Sequence, residues 1–282
     1  MFDLYSFLCG KMLAFPDKEM SFVHSYMVIK WNLLCRSSNA FGIRHSHMEW
    51  RGDVLQIYFA HMKNDQGGDC PRDPRHIYAN PLQPSICPTV ALGLYWASTT
   101  FGKALLPQGL NPSELGTDSM RKDSATFCSS GSTACQSSTA VHLRAGWSLG
   151  GVQNTYSRYE ASGDMHVRRS VVGLSTESYN FSTLPPHFSE SDEIVQRGVR
   201  LMFPGLPQRL EFIAEYCLAS LTVHHSYLTR ALSLNHPVFL TPLFHDAAML
   251  SSLAERIRSE DGSSDTRICP TGVPPHVFIC VR

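Results

Sequence analysis

The sequence predicts a mainly α-helical protein that contains one small antiparallel β-sheet. Residues 20–48 and 207–237 place apolar side chains along one face at helical spacing. Residues 52–69 instead alternate in character, are rich in β-branched and aromatic side chains, and end in the turn-forming sequence NDQGG. A chain of 282 residues is long enough for about two domains.

The elements of the first half follow from local signals. The strand in residues 52–69 is followed by a second short strand, RHIYAN, which stops at Pro81, so the two are expected to form a hairpin or a small meander. The stretch CPTVALGLYWAS comes next and predicts a helix with Pro88 in its first turn, where proline is tolerated.

The second half is predicted to be helical throughout. Thr117 or Ser119 can cap a helix that begins near residue 117, and Asp246 can begin the last helix. Residues 184–193, LPPHFSESDE, are typical of a linker. Helices are predicted at 117–128, 139–147, 152–160, 207–237 and 245–259.

Charge and cysteine content limit the class of protein. The net charge is zero, with 24 basic and 24 acidic side chains, so a nucleic-acid site has to rest on a local cluster. The nine cysteines form no C-x-x-C pair, which indicates reduced thiols. Cys128, Cys135 and His142 are evenly spaced, but three lone ligand types are not a zinc signature, so we expect no metal site.

No export signal or membrane span is expected. The apolar opening, residues 1–15, carries Asp3 and Lys11 and has no basic segment before it. Nowhere do 18 apolar residues follow one another, which is the length that a membrane-crossing helix requires.

A set of basic and aromatic residues indicates chemistry on a phosphodiester. Arg36 follows a helix, Lys63 lies in the hairpin, and Arg121 lies on a later helix. Two guanidinium groups and an ammonium drawn from separate segments suit a phosphate, because a guanidinium can hold two phosphate oxygens at once. Tyr156, nine residues after Trp147, could attack the phosphorus and form a covalent phosphotyrosyl intermediate.

The order of these residues resembles that of the tyrosine recombinases, and more closely the Crypton-type transposable-element recombinases, including those found in oomycete genomes. CRSSNAFGI is similar to the first-arginine box and HMKNDQ to the box of the hairpin lysine. DSMRK stands in the place of the His-x-x-Arg box, and AGWSLGGVQNTY resembles the Gly-His/Trp box with its tyrosine nine positions on. The resemblance covers roughly residues 20–190.

The resemblance implies a tyrosine-recombinase catalytic domain over residues 1–190 and a helical C-terminal region over 191–282, with the N-terminal DNA-clamping domain missing or truncated. It implies site-specific recombination or integration of a mobile element in the nucleus through a 3′-phosphotyrosyl intermediate. The partner would be double-stranded DNA, bound by a synaptic tetramer, with no cofactor. The catalytic residues would be Arg36, Lys63, Arg121, Trp147 and Tyr156.

Three positions leave alternatives open. Tyr159 lies three residues beyond Tyr156, on nearly the same side of a helix, and is a second candidate nucleophile, although the nine-residue spacing favours Tyr156. Asp118 stands where the family has histidine, and Asp123 stands where it has glycine, so both bring negative charge to a phosphate site. The alternative function is therefore a catalytically dead helical DNA-binding or interaction protein that keeps the recombinase fold.

Overall fold

The computed structural model describes residues 2–16, 18–59, 74–99, 117–130, 136–145, 147, 161–258 and 268–274. The described chain is mostly helical and contains a small antiparallel sheet, which confirms the predicted fold class. None of the described helices has the combination of length and apolar character that crossing a membrane requires.

The helices of the first 171 residues precede, flank and follow the sheet. They are α1 (Phe2–Leu13), α2 (Lys18–Leu33), α3 (Ser37–Phe41), α4 (Pro88–Ser98), α5 (Thr117–Ser130), α6 (Ser138–Ala145) and α7 (Ala161–Val171). Pro88 is the first residue of α4, as the sequence predicted. The later helices are α8 (Glu193–Met202), α9 (Glu211–Val223), α10 (His225–Ala231) and α11 (Ala247–Ala254).

The prediction of one helix over residues 20–48 is wrong, although α3 and a single helical turn at His45–His47 lie within the stretch, because α2 ends at Leu33. The next residue, Leu34, has a φ of 48°, a left-handed backbone conformation that cannot continue a right-handed helix. The chain therefore turns after α2, and the short helix α3 begins directly after Arg36. This turn places Arg36 at a junction between two helices.

Three strands form the main sheet, in the order β1 (Met48–Arg51), β2 (Val54–Ile57) and β3 (Arg75–Ile77), and both pairings are antiparallel. The β1–β2 turn contains Gly52 with a φ of 59°, a conformation that glycine adopts without strain. β1 begins at the last residue of the predicted helix and otherwise lies between that helix and the predicted strand, whereas β2 and β3 confirm the predicted strands.

The larger hydrophobic core joins the sheet and α2 to α4 and the later helices. Helices α4 and α9 approach closely at Gly93, where a Cβ atom would lie 3.0 Å from Leu221 Cδ1. The stretch 184–193, predicted as a linker, is packed over its first residues, and His187–Phe188 forms β4, which pairs with β5 (Ile257–Arg258). Helices from both sides of the predicted division at residue 190 share this core, and the division itself stays a prediction.

A second core is formed by α1, α2, α5, α6 and α7. Its aromatic side chains are stacked: the ring centroids of Phe2 and Phe127 lie 4.4 Å apart, and those of Tyr5 and Trp31 lie 4.1 Å apart. Trp31 Nε1 donates to the carbonyl of Val171, which ties α2 to the end of α7. This bundle holds the helices that carry Arg121, Trp147 and the residues around them.

Buried histidines make the fold sensitive to acid. Burial lowers the pKa of His24 to about 4, and the pKa of His236 to about 4, from the usual value near 6.5. Both side chains are therefore neutral in the folded chain. The unfolded chain binds more protons below pH 6.5, so stability is present above that pH and is lost as the pH falls towards 4.

We expect His24→Gln to flatten this dependence, because Gln does not titrate and its amide can still donate to the Ser85 carbonyl that His24 Nε2 contacts at 2.7 Å. Each pKa unit corresponds to about 1.4 kcal/mol, so the loss of unfolding free energy between pH 6.5 and 4 should shrink by roughly 2–3 kcal/mol. Urea unfolding at both pH values measures this change. The exposed His245→Gln serves as control, and an equal flattening in both variants would contradict the assignment to His24.

Candidate functional site

Arg121 and Trp147, two of the predicted catalytic residues, lie together. Arg121 lies in the second turn of α5 and is buried, and its Nη2 donates to the carbonyl of Ala145 at the end of α6. The last carbonyls of a helix have no partner inside the helix, so a cation is favoured there. The guanidinium carbon of Arg121 lies 5.4 Å from the ring centroid of Trp147, within cation–π range.

Arg36 lies at the α2–α3 junction, half-buried, next to a group of cations. Burial raises the pKa of the neighbouring Cys35 thiol to about 12, and the charges of Lys30, Arg144 and Arg121 oppose that rise. These three charges are therefore near the residue that precedes Arg36. The charge of Arg121 thus acts on the thiol of Cys35, one residue before Arg36.

The other predicted site residues are not described. Lys63, Tyr156 and Tyr159 lie outside the described residues. The backbone of Asp118 belongs to the first turn of α5, one turn before Arg121, but its side chain is not described either. Their assignment rests on the sequence.

A buried carboxylate lies beside this group. Asp164 of α7 accepts hydrogen bonds from Arg144 Nη1 at 2.5 Å and from Arg168 Nε at 3.0 Å. His76 Nδ1 lies 3.1 Å and Arg75 Nη1 3.9 Å from the same carboxylate. All five side chains are at most 8% exposed, so these charges meet in a low dielectric, where they interact strongly.

Both ring nitrogens of His76 have a partner, Gln56 on one side and Asp164 on the other. Gln56 Oε1 accepts from the Tyr58 hydroxyl at 3.3 Å, which leaves Gln56 Nε2 to donate to His76 Nε2 at 3.2 Å. His76 then carries its proton on Nδ1 and donates it to Asp164. The negative charge of Asp164 therefore meets its opposite charge in the arginines.

The arginines also bind backbone carbonyls. Arg144 Nη2 donates to the carbonyl of Asn32, in the last turn of α2, and Arg168 Nη1 donates to the carbonyl of His76. Asn32 precedes Arg36 by four residues. The Asp164 cluster, which we define as Asp164 with Arg75, His76, Arg144 and Arg168, thus joins β3, α6 and α7 to the end of α2.

A second buried ion pair lies next to this cluster and differs from it in composition. Arg169 Nη2 lies 2.5 Å from Asp53 Oδ2, and neither side chain is exposed. The backbone nitrogen of Thr271 donates to Asp53 at 2.9 Å, and the Arg169 guanidinium lies 4.4 Å from the ring centroid of Tyr78. Here one carboxylate meets one cation, and the pair fixes the β1–β2 turn against α7.

Buried cations outnumber buried carboxylates in the part of the chain that the structure describes. The buried carboxylates are Asp53 and Asp164. The buried cations are Lys30, Arg75, Arg121, Arg144, Arg168 and Arg169. The described interior therefore carries more basic than acidic side chains, although the chain as a whole has no net charge.

Sequence reasoning missed Asp164 and its arginines. The available signal was the i, i+4 spacing of Asp164 and Arg168 on a helix, which pairs opposite charges. That spacing is equally typical of exposed helix faces. Nothing in it indicates that both side chains are buried, or that Arg144 joins them from another helix.

Of the evenly spaced Cys128, Cys135 and His142, the structure describes Cys128 and His142. Cys128 is buried, and burial raises its pKa to about 12, which keeps it a thiol rather than a metal-binding thiolate. The ring of His142 packs edge-on against Trp147, with centroids 5.4 Å apart. Cys135 lies outside the described residues, and among those described no group of three metal-binding side chains comes together.

Comparison with protein-family models, with curated proteins and with solved structures finds no match to this chain.

We expect Cys35 to resist alkylation in the folded chain. At pH 8 a thiol of pKa about 12 is ionised in roughly one molecule in ten thousand, and only the thiolate reacts. The exposed Cys269 should be modified first by iodoacetamide. Peptide mapping of the labelled chain measures both sites. Cys35 labelling as fast as Cys269 without denaturant would show that the end of α2 is open.

Proposed function

We propose that the chain is a DNA strand transferase of the tyrosine-recombinase type, which breaks and rejoins double-stranded DNA during the movement of a genetic element. The observation that supports this most is the position of Arg121. Its buried guanidinium is held against Trp147 and lies near the end of α2, where Arg36 begins the next helix. These are the groups that the family resemblance assigns to one phosphate.

The chemistry follows from the functional groups. Arg36 and Arg121 would hold the non-bridging oxygens of a DNA phosphate and stabilise the negative charge that grows there during attack. The Tyr156 hydroxyl would lose its proton to water as its oxygen bonds to phosphorus and the bond to the 5′ oxygen breaks, leaving a 3′-phosphotyrosyl link and, once that oxygen is protonated, a free 5′ hydroxyl. Arginine does not give up its proton in proteins, so the Lys63 ammonium is the member of this set suited to protonate the leaving oxygen.

The surroundings of Arg121 support such a role. Its contacts to the Ala145 carbonyl and to Trp147 hold the planar guanidinium in one orientation before any ligand binds. A donor that is already oriented needs no rearrangement as charge develops. The charge of Lys30 acts on the same end of α2, whereas the charge of Arg144 is matched by Asp164. Partial removal from water makes each of these charges act more strongly on a phosphate.

The second candidate function is DNA binding without cleavage. Asp118 favours it, because an ionised carboxylate accepts hydrogen bonds but cannot donate one to a phosphate oxygen, as the family's histidine can. Asp118 also precedes Arg121 by three residues on α5, a spacing at which a carboxylate and a guanidinium can pair. Both candidates keep the phosphate-binding arginines and differ only in the chemical step.

We expect Tyr156→Phe to abolish a covalent protein–DNA adduct while DNA affinity stays within about twofold, because only the attacking oxygen is lost. The probe is a set of nicked duplexes with randomised flanking sequence, in which cleavage releases a short strand and traps the adduct. Tyr159→Phe is the matched control and should retain the adduct. Loss of the adduct in Tyr159→Phe alone would identify Tyr159 as the nucleophile, and no adduct with the unaltered chain would favour the binding-only function.

We expect Asp118→His to raise the rate of adduct formation by roughly a hundredfold or more, since one preorganised donor in such a site is typically worth about 3 kcal/mol. Trapping rates of both proteins on one nicked duplex measure the effect. Asp118→Ala is the control, because it removes the negative charge without supplying a donor. An unaltered chain that already matches the histidine variant would show that Asp118 does not occupy the histidine position.

A further inference from the structure

We propose that Asp164 is a positioning residue for strand transfer: its carboxylate holds the ends of α6 and α2 where Arg121, Trp147 and Arg36 require them. The inference rests on the proposed function, because it concerns the same phosphate site. Among the described contacts of Asp164, none reaches these three residues. It acts through the arginines that it binds.

The first connection runs through α6. Asp164 binds Arg144, and the next residue, Ala145, offers the carbonyl that accepts from Arg121. The backbone nitrogen of Trp147 donates to the carbonyl of His142 at 3.0 Å, so the tryptophan is tied to the last turn of the same helix. Movement of Arg144 therefore shifts both the acceptor of Arg121 and the ring beside it.

The second connection runs through α2. Arg144 Nη2 and Arg168 Nη1 both donate to the carbonyl of Asn32. The same two arginines bind Asp164 through other nitrogens, Arg144 through Nη1 and Arg168 through Nε. Asn32 lies one turn before Arg36. One carboxylate thus fixes two guanidinium groups on the end of the helix from which Arg36 extends.

The third connection runs through β3. His76 donates to Asp164, Arg75 lies 3.9 Å from it, and Arg75 is paired with Ile57 of β2 in the sheet. In the sequence, Lys63 belongs to the stretch that joins these two strands. Asp164 is therefore linked to α2, which precedes Arg36, and to β3, which follows Lys63 in the sequence. It lies itself on α7, which follows Tyr156.

A carboxylate is required at this position for a chemical reason. The described hydrogen-bond partners of its two oxygens are donors, namely two arginines and the Nδ1–H of His76. Asparagine has nearly the same shape, but it replaces one acceptor with an amino group that would point at another donor. Asp164→Asn therefore removes the negative charge and the hydrogen bonds that one of the two carboxylate oxygens accepts, without creating a cavity.

Asp53 provides a matched control. It is as deeply buried as Asp164 and binds Arg169, the neighbour of Arg168 on α7. Its described hydrogen bonds reach Arg169 and Thr271, and none reaches α6 or the end of α2. Asp53→Asn also removes a buried negative charge and should therefore destabilise the fold, but it should leave the positions of Arg121, Trp147 and Arg36 unchanged.

The test compares Asp164→Asn and Asp53→Asn for melting temperature, affinity for a nicked duplex, and adduct formation at saturating duplex. We expect both variants to melt at lower temperature and to bind duplex within about threefold of the unaltered chain. Only Asp164→Asn should slow adduct formation, by roughly tenfold or more, because misplaced groups lose transition-state contacts. Equal slowing in both variants, or no slowing in Asp164→Asn, overturns the proposal.

A milder variant covers the case in which Asp164→Asn does not fold. Arg144→Lys keeps the positive charge, but a single ammonium cannot reproduce the fork that joins Asp164 to the Asn32 carbonyl. We expect slower adduct formation with retained duplex binding. In the double variant Arg144→Lys/Asp164→Asn, where it folds, the two effects should fall well short of additive. Independent, additive effects would show that Asp164 does not act through Arg144.

Hydrogen exchange separates this proposal from the proposed function. Asp164→Asn should weaken amide protection in α6 and β3, whereas Asp53→Asn should leave α6 unchanged. If the unaltered chain forms no adduct, the proposed function is overturned. The hydrogen-exchange pattern alone then decides whether Asp164 holds α6 and β3 in place. Unchanged protection of α6 in Asp164→Asn overturns the positioning role even if the chain is active.

Discussion

Burying an arginine side chain costs free energy unless its charge meets an anion and its N–H groups meet acceptors. In this protein, four arginine and histidine side chains converge on the single carboxylate of Asp164. This carboxylate joins segments that are far apart in sequence: β3, α6 and α7 directly, and α2 through the Asn32 carbonyl. The hydrophobic cores set which helices pack together. The buried charges fix how those helices are aligned, because ion pairs and hydrogen bonds depend on geometry more sharply than apolar contacts do.

The fold class and most elements were predictable from the sequence because they depend on local patterns. Pro88 at the first turn of α4 and the alternation that leads into β2 are local signals, and both predictions are confirmed. The extent of α2 was not predictable, since apolar spacing continues past Leu33 while the backbone leaves the helix at Leu34. The strand β1 and the helix α7 were missed. Their burial depends on partners elsewhere in the chain, such as Trp50 stacking on Tyr216 at 3.8 Å.

The candidate site also has a part that local sequence patterns predict and a part that depends on tertiary packing. The order and spacing of Arg36, Arg121 and Trp147 could be read from the sequence, and the structure brings Arg121 to Trp147 and near the end of α2. The residues that hold them there could not be read, because Asp164 and Arg144 are brought together by tertiary packing across twenty residues. Lys63 and Tyr156 remain sequence predictions. Because the chain matches no known protein, the proposed function rests on the chemistry of these side chains.

The most direct test of the account is an experimental structure of the chain bound to a nicked DNA duplex. The account predicts that the guanidinium groups of Arg36 and Arg121 contact the same backbone phosphate, with Trp147 beside Arg121 and the Tyr156 hydroxyl directed at that phosphorus. DNA bound on another face, or Arg36 and Arg121 on separate phosphates with Tyr156 distant from both, would contradict it.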